Sequence, residues 1–278
     1  MRMQGKVAVV TGGASGIGKR TIERFVAEGG KAVIADIDEA RGLRLKDDLG
    51  EAARYVRCDV TVEADIEAAV AAAVGAWGRL DLMYNNAGTG GDGSPIVSLT
   101  PEGWDATMNL LLRAPMLGIK HAAPVMKRQG GGCIVSTASV AGLVPGSTPT
   151  AYGVAKNAVT YLTQCAAMEL AADKIRVNCI CPGVIATPIL GKSAGMASQA
   201  AESTVETIRQ ASAGFQPIPR GGVTDDIAGA VLYFASDEAS FLTGVVLPVD
   251  GGFSAGRSPA DMATTWRPIV EALTGGGR

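Results

Sequence analysis

Seven short apolar runs, each followed by a helical stretch, constrain this 278-residue chain more than any other feature of its sequence. The runs fall at residues 6–10, 31–35, 53–58, 80–84, 133–137, 176–180 and 244–249. They are continuous rows rich in Val, Ile and Ala, not apolar–polar alternations, which predicts strands covered on both faces. Helical patterns lie between them at 16–28, 39–49, 63–77, 150–169 and 225–235. A longer one reaches residue 128, with Trp104, Met108, Leu112 and Met116 at helical spacing. This alternation predicts an α/β fold, a doubly wound parallel sheet of about seven strands with helices on both faces, in a single domain. Ligands bind such sheets beyond the C-terminal strand ends.

The first run ends in Thr11-Gly12-Gly13-Ala14-Ser15-Gly16-Ile17-Gly18 and opens a helix. Glycines there allow a tight turn, close backbone approach to a pyrophosphate and a helix N-terminus that attracts anions. The second run ends in Asp36, where a carboxylate can accept hydrogen bonds from both hydroxyls of an adenosine ribose. The same carboxylate repels a 2′-phosphate, and neither residues 13–15 nor Ile37 supplies a cation to offset it. NAD is therefore favoured over NADP. Lys19, Arg20 and Arg41, the nearby cations, read as solvated helix charges. Asp59, followed by Val60, ends the third run and faces either the adenine edge or the helix after it, as a cap.

Tyr152 and Lys156 lie four residues apart on the 150–169 helix, so they share a face. A cation held beside a tyrosine favours the phenolate and lowers its pKa. Ser139 stands thirteen residues before Tyr152, at the end of a strand. Alone, the pair reads more readily as a plain helix surface.

Taken in order, the motifs resemble one family. Thr11-Gly12-x-x-x-Gly16-Ile17-Gly18, Asp59-Val60, Asn85-Asn86-Ala87-Gly88, Asn109, Ser139, Tyr152-x-x-x-Lys156, Pro182-Gly183 with Thr187, and Val249-Asp250-Gly251-Gly252 follow the pattern of the short-chain dehydrogenases/reductases. The resemblance runs from about residue 5 to 253. It implies a Rossmann-like domain over 1–253, a substrate-binding lid at 188–222 within it and an extension at 254–278.

The same resemblance implies catalytic roles for Asn109, Ser139, Tyr152 and Lys156. Tyr152 would be the general acid/base on the substrate oxygen, and Ser139 would hydrogen-bond that oxygen. Lys156 would lower the Tyr152 pKa and hold the nicotinamide ribose, with the charge of oxidised nicotinamide acting in the same sense. Asn109 would hold a water linking Lys156 to solvent. Cofactor contacts would come from Gly12, Ser15, Gly16, Ile17 and Gly18, then Asp36, Ile37, Asp59 and Val60. Asn86, Ala87 and Gly88 would form the floor beneath the adenosine ribose, with Asn86 equally readable as structural. Pro182, Gly183, Ile185 and Thr187 would fix the nicotinamide end. Members usually assemble as homotetramers through the long helices and the last strand.

Composition narrows the partners. A net charge of -2 offers no basic patch for nucleic acid and no polybasic membrane anchor. No apolar run approaches the roughly 20 residues that span a bilayer, and the first apolar run is too short for a secretory signal. Cys58, Cys133, Cys165, Cys179 and Cys181 form no CxxC pair, which predicts free thiols, a reducing compartment and a cytoplasmic location. No metal-ligand spacing is visible. His121, the one histidine, reads as structural because no Gly-x-Ser-x-Gly accompanies it.

Ile189, Leu190, Met196, Ile208 and Phe215 make the lid apolar, and its cations Lys192, Arg209 and Arg220 have no fixed relation to Tyr152. The expected substrate is a small apolar secondary alcohol or its ketone. Similarity to family members acting on cyclic, terpenoid, steroid or aromatic alcohols points the same way. Residues 266–273 read as a short helix, packed on a neighbour or closing the pocket, and 275–278 as a disordered tail. Three rivals are a non-catalytic NAD(H)-binding redox sensor, a sugar-nucleotide epimerase and an enoyl reductase. The first need not keep Ser139, Tyr152 and Lys156. The second carries a larger C-terminal domain, and the third a longer Tyr-to-Lys spacing.

Overall fold

The computed structural model describes residues 1–193, 195–256 and 259–274, so residues 275–278 lie outside the described part. Seven parallel strands form one sheet in the order β3-β2-β1-β4-β5-β6-β7. They are β1 (Val7–Thr11), β2 (Lys31–Asp36), β3 (Ala53–Arg57), β4 (Leu82–Asn85), β5 (Gly132–Thr137), β6 (Ile175–Pro182) and β7 (Val246–Val249). The doubly wound sheet expected from the sequence is present, with β1 and β4 starting later and β6 running longer than the apolar runs suggest.

The continuous apolar runs have a direct cause. Ala8 and Val10 of β1 and Ala32 and Ile34 of β2 enter one core, with Ile22 and Phe25 of α1 (Gly16–Ala27) and Leu45 of α2 (Glu39–Leu49). Ile227, Val231 and Phe234 of α10 (Thr224–Ala235) complete that layer. The alternate residues Val7, Val9, Val33 and Ala35 enter a second core on the other face. There they meet α3 (Glu63–Trp77), α5 (Ala114–Gln129) and α6 (Thr150–Leu170). Successive strand residues point to opposite faces, so burial on both sides requires apolar residues at every position.

The expected long helix before β5 is interrupted. α4 (Pro101–Met108) passes through a π-helical turn, Asn109–Arg113, into α5. Such a turn inserts a residue and shifts the helix phase. Between β6 and α10 lie α7 (Ile189–Ser193), α8 (Ser198–Ser203) and α9 (Val205–Ala211). After β7, α11 (Pro259–Leu273) begins earlier than expected and leaves Met262, Trp266, Ile269, Val270 and Leu273 exposed in the single chain. No helix among the described residues is long and apolar enough to cross a membrane.

Candidate active site

Strand order reverses between β1 and β4: the chain runs outward to β3, then returns to the other side of β1. The crevice at this switch point is where such sheets bind ligands, and the glycine turn lies there. Gly12 has φ +62°, and a Cβ on it would stand 2.9 Å from the Ala87 Cα after β4. Thr11 locks the two strand ends together, its Oγ1 accepting from the amides of Asn86 (2.9 Å) and Ala87 (3.1 Å). The Asn86 carboxamide donates to the carbonyls of Thr11 (3.0 Å) and Gly12 (3.3 Å), so Asn86 holds the turn itself. Gly88 continues this wall toward Lys156.

Ser15 takes the N-cap position of α1 without making a side-chain cap bond, and Gly16 and Ile17 open that helix. Gly18 lies beneath the Gly12 carbonyl. Thr187, buried, comes within 3.6 Å of where a Cβ on Gly16 would stand, so the segment after β6 reaches the glycine turn. Ile185 is buried and bridged to Gly222, while Gly183 donates to the Val249 carbonyl beside Pro182 at the β6 end.

Asp36 is buried at the end of β2. Its two oxygens accept from the amides of Ala14 (2.9 Å) and Asp38 (2.9 Å), which fixes the carboxylate beside the turn. A carboxylate has about four acceptor positions, so ribose hydroxyls can still be received. Ile37 is exposed next to it. Arg41 departs from the expected solvated charge: it is enclosed between Asp38 at 3.4 Å and Glu202 of α8 at 2.9 Å. Arg20 pairs with Asp225 and Lys19 with Glu23. Asp59 accepts from the Thr61 amide (2.9 Å) and hydroxyl (2.7 Å), which holds its carboxyl below the usual range. Val60 beside it is buried in the core.

The candidate catalytic residues Ser139, Tyr152 and Lys156 gather at the ends of β5 and β6. Ser139, buried, caps a short 3-10 turn, its Oγ accepting from the Ala141 amide at 3.1 Å. Gly142 in that turn was not singled out by sequence, yet a Cβ there would meet the Asn157 amide nitrogen at 2.6 Å. Only glycine lets the turn press onto α6, where Asn157 also donates to the Gly142 carbonyl at 2.6 Å. That contact brings Ser139 to Tyr152, whose acidity it affects.

Lys156 is buried, donates to the Thr137 carbonyl at 2.7 Å and lies 5.8 Å from the Tyr152 ring centroid. Burial pulls its pKa down from 10.5 to about 8. The expected lowering of Tyr152 is not what the protein alone shows. Burial raises the phenol above its ordinary value, with the Ser139 side chain pulling the other way. The ammonium points to the Thr137 carbonyl and not to the Tyr152 hydroxyl.

Asn109 is not brought to this cluster. Its carboxamide oxygen accepts from Arg113 at 3.0 Å, and it lines an open groove of about 750 Å³ with Asp105, Met108, Met116 and Leu162. Residues two apart on a helix do not share a face, and Leu111, two places on, is the one that turns inward. His121 contacts Glu63 at 3.0 Å, which also takes Lys120 at 2.6 Å, joining α5 to α3. In the segment expected as a lid, Arg209 pairs with Glu206 and Arg220 with Asp226. The five cysteines are free, with Cys165 alone exposed among them. Among the described residues, no group of His, Cys, Asp and Glu is placed to hold a metal ion.

The doubly wound sheet with a glycine turn at its switch point is a nucleotide-binding α/β architecture. A family model described as "Enoyl-(Acyl carrier protein) reductase" matches residues 12–254, and the chain belongs to the short-chain dehydrogenase/reductase family, whose fold binds a nicotinamide cofactor. It is 43% identical over 260 residues to momilactone A synthase of Oryza sativa subsp. japonica, covering 92% of this chain and 93% of that one. It is 38% identical over 259 residues to (+)-borneol dehydrogenase 2 of Salvia officinalis, covering 92% and 91%. The crystal structure of levodione reductase aligns with a TM-score of 0.80 at 33% identity, over 91% of this chain and 99% of that one.

Proposed function

We propose that the protein interconverts an apolar, cyclic or aromatic secondary alcohol and its ketone, with NAD as hydride partner. The observation that carries this reading is the convergence of Ser139, Tyr152 and Lys156 at the C-terminal edge of β5 and β6, beside the glycine turn. The residues fit a dinucleotide: Gly12 leaves room that a Cβ would fill, Ser15 has no intramolecular cap bond, and Asp36 is fixed at the ribose position. Bound NAD supplies the carbon that accepts or gives the hydride.

The protein's own groups handle the proton. The Ser139 oxygen already accepts from Ala141, so its hydroxyl serves as a donor, toward the Tyr152 phenol and toward a substrate oxygen when one is bound. Tyr152 gives a proton to that oxygen in reduction and takes one in oxidation. A phenol raised by burial is ready as the acid, and the positive charge of an oxidised nicotinamide would favour the phenolate for the reverse direction. Lys156 and Thr187 hold the nicotinamide end, and Asp36 disfavours a 2′-phosphate. The exposed apolar side chains Ile189, Leu190, Met196 and Phe215 support an apolar substrate, as do the relatives named for borneol and levodione.

Residues 1–253 form the catalytic domain in this reading, with 188–222 as lid and 254–278 as an extension. The open groove on α4–α6, together with Tyr161 and Met168 exposed elsewhere on α6, supports assembly with further copies, as a homotetramer. Five free thiols support a reducing compartment such as the cytoplasm.

A screen of secondary alcohols with NAD+, read by nicotinamide absorbance, identifies the substrate. With it, Tyr152→Phe should lower kcat about a thousandfold while NADH binding changes less than a few-fold. Retained turnover would refute the role of Tyr152. Asp36→Ala should cut the NAD over NADP preference in kcat/KM about tenfold, or about 1.4 kcal/mol. An unchanged ratio would remove Asp36 as the selector.

A further inference from the structure

The π turn between α4 and α5 delivers an apolar side chain to a polar place. Leu111 is 1% exposed, and its Cδ2 lies 3.1 Å from the point where a Cβ on Gly88 would stand. The Lys156 ammonium lies 4.0 Å from the same point. The neighbouring residues go elsewhere: Asn109 and Arg113 pair on the outer groove, Leu110 packs into the α3–α5 core and Leu112 against β6. π turns occur often at functional sites because they re-aim single residues.

We propose that Leu111 is a positioning residue of the active site, the dry wall that keeps water from Lys156 on the side of the α4–α5 junction. This rests on the reading of Ser139, Tyr152 and Lys156 as the reaction centre. The other groups around the ammonium leave it little charge to answer. Tyr152 lies on its own helix, Cys179 and Cys181 face it from β6, and β5 offers the Thr137 carbonyl. From β4, the Asn85 amide is turned to Ser136 and the Asn86 amide to the glycine turn. Desolvation is accordingly the main cause of the depressed Lys156 value. With Leu111 in place Lys156 stays desolvated, and loss of its charge should set the alkaline limit of activity.

The test reads Lys156 itself. In protein labelled with 13C/15N-lysine, the Lys156 signal is assigned by its loss in Lys156→Met and followed against pH. In the wild type it should titrate at about 8. Leu111→Asn should raise that midpoint by about one unit as water and a carboxamide reach the ammonium. Leu111→Met, which keeps the wall apolar, should leave it unmoved. If Leu111→Asn does not fold, Leu111→Ala serves instead, since the space it opens also admits water beside a charge. The alkaline limb of kcat/KM should move with the midpoint.

An ordinary lysine midpoint in the wild type overturns the inference. So does a midpoint that stays in Leu111→Asn or Leu111→Ala, or that moves equally in Leu111→Met. Because the titration needs no substrate, a shifted Lys156 without turnover of any alcohol would count against the proposed activity and leave the wall standing.

Discussion

The two ends of the crevice are held in opposite ways. At the β1–β4 end, three polar side chains that shape the turn are tied to backbone: Thr11 to Asn86 and Ala87, Asn86 to Thr11 and Gly12, Asp36 to Ala14 and Asp38. At the lid end, Leu190 is 50% exposed and Phe215 is 62% exposed, large apolar groups that the chain itself does not cover. The first end is preorganised, so a ligand there meets groups whose ordering is already done. The second, in the proposed reading, gains its burial when an apolar substrate arrives. One end is therefore sensitive to any added atom, and the other to what it binds.

Gly12→Ala strikes the preorganised end hardest. A left-handed φ of +62° costs a non-glycine residue about 1–2 kcal/mol, and the added methyl also meets Ala87 Cα at 2.9 Å. A total loss of about 3 kcal/mol is expected, read as a fall in Tm, with NADH affinity reduced. A wild-type Tm would mean that the turn is looser than its bonds indicate.

Lys156→Met should move stability the other way. The folded pKa of about 8 lies below the ordinary 10.5. Between those values the unfolded chain holds a proton that the folded one lacks, so wild-type stability gains with rising pH through Lys156, fully present above 10.5 and absent below 8. The window corresponds to about 3 kcal/mol. Lys156→Met should thus be more stable than wild type at pH 7, by on the order of 1–3 kcal/mol, and inactive, with the advantage shrinking toward pH 10. Denaturant melts of both proteins across that range decide it.

Phe215→Ala should have the smallest effect on the fold, within about 0.5 kcal/mol, yet raise KM for the alcohol. Equal KM with lowered Tm would show that the lid is built like the other end after all.

What the sequence makes legible follows from the same contrast. The strand–helix alternation is readable because Val7 and Val9 meet one helix layer and Ala8 and Val10 the other, so the apolar run has no gaps. Ser139, Tyr152 and Lys156 are readable because each sits at a strand end or on the following helix. Asn109 is misread because the π turn shifts the phase after Met108, and three successive leucines give no sign of which one faces inward. Arg41 is misread because its partner Glu202 lies 161 positions away, across a connection without strong periodicity. The raised pKa of Tyr152 comes from its burial in the folded chain, and spacing along a helix reports neither that burial nor the Lys156 ammonium turned to a carbonyl on β5.

Cys165 gives the outer face of α6 a chemical address. Its four fellow thiols are buried, whereas it stands exposed between Tyr161 and Met168 on the same helix. A maleimide fluorophore added to the native protein will mark this position and leave the others untouched. If copies pair through α6 about a two-fold axis, each chain's thiol approaches its twin, and the label is either shut out or quenched by its neighbour. Dilution then restores labelling, which turns one sulfur atom into a gauge of association that needs no substrate and no cofactor.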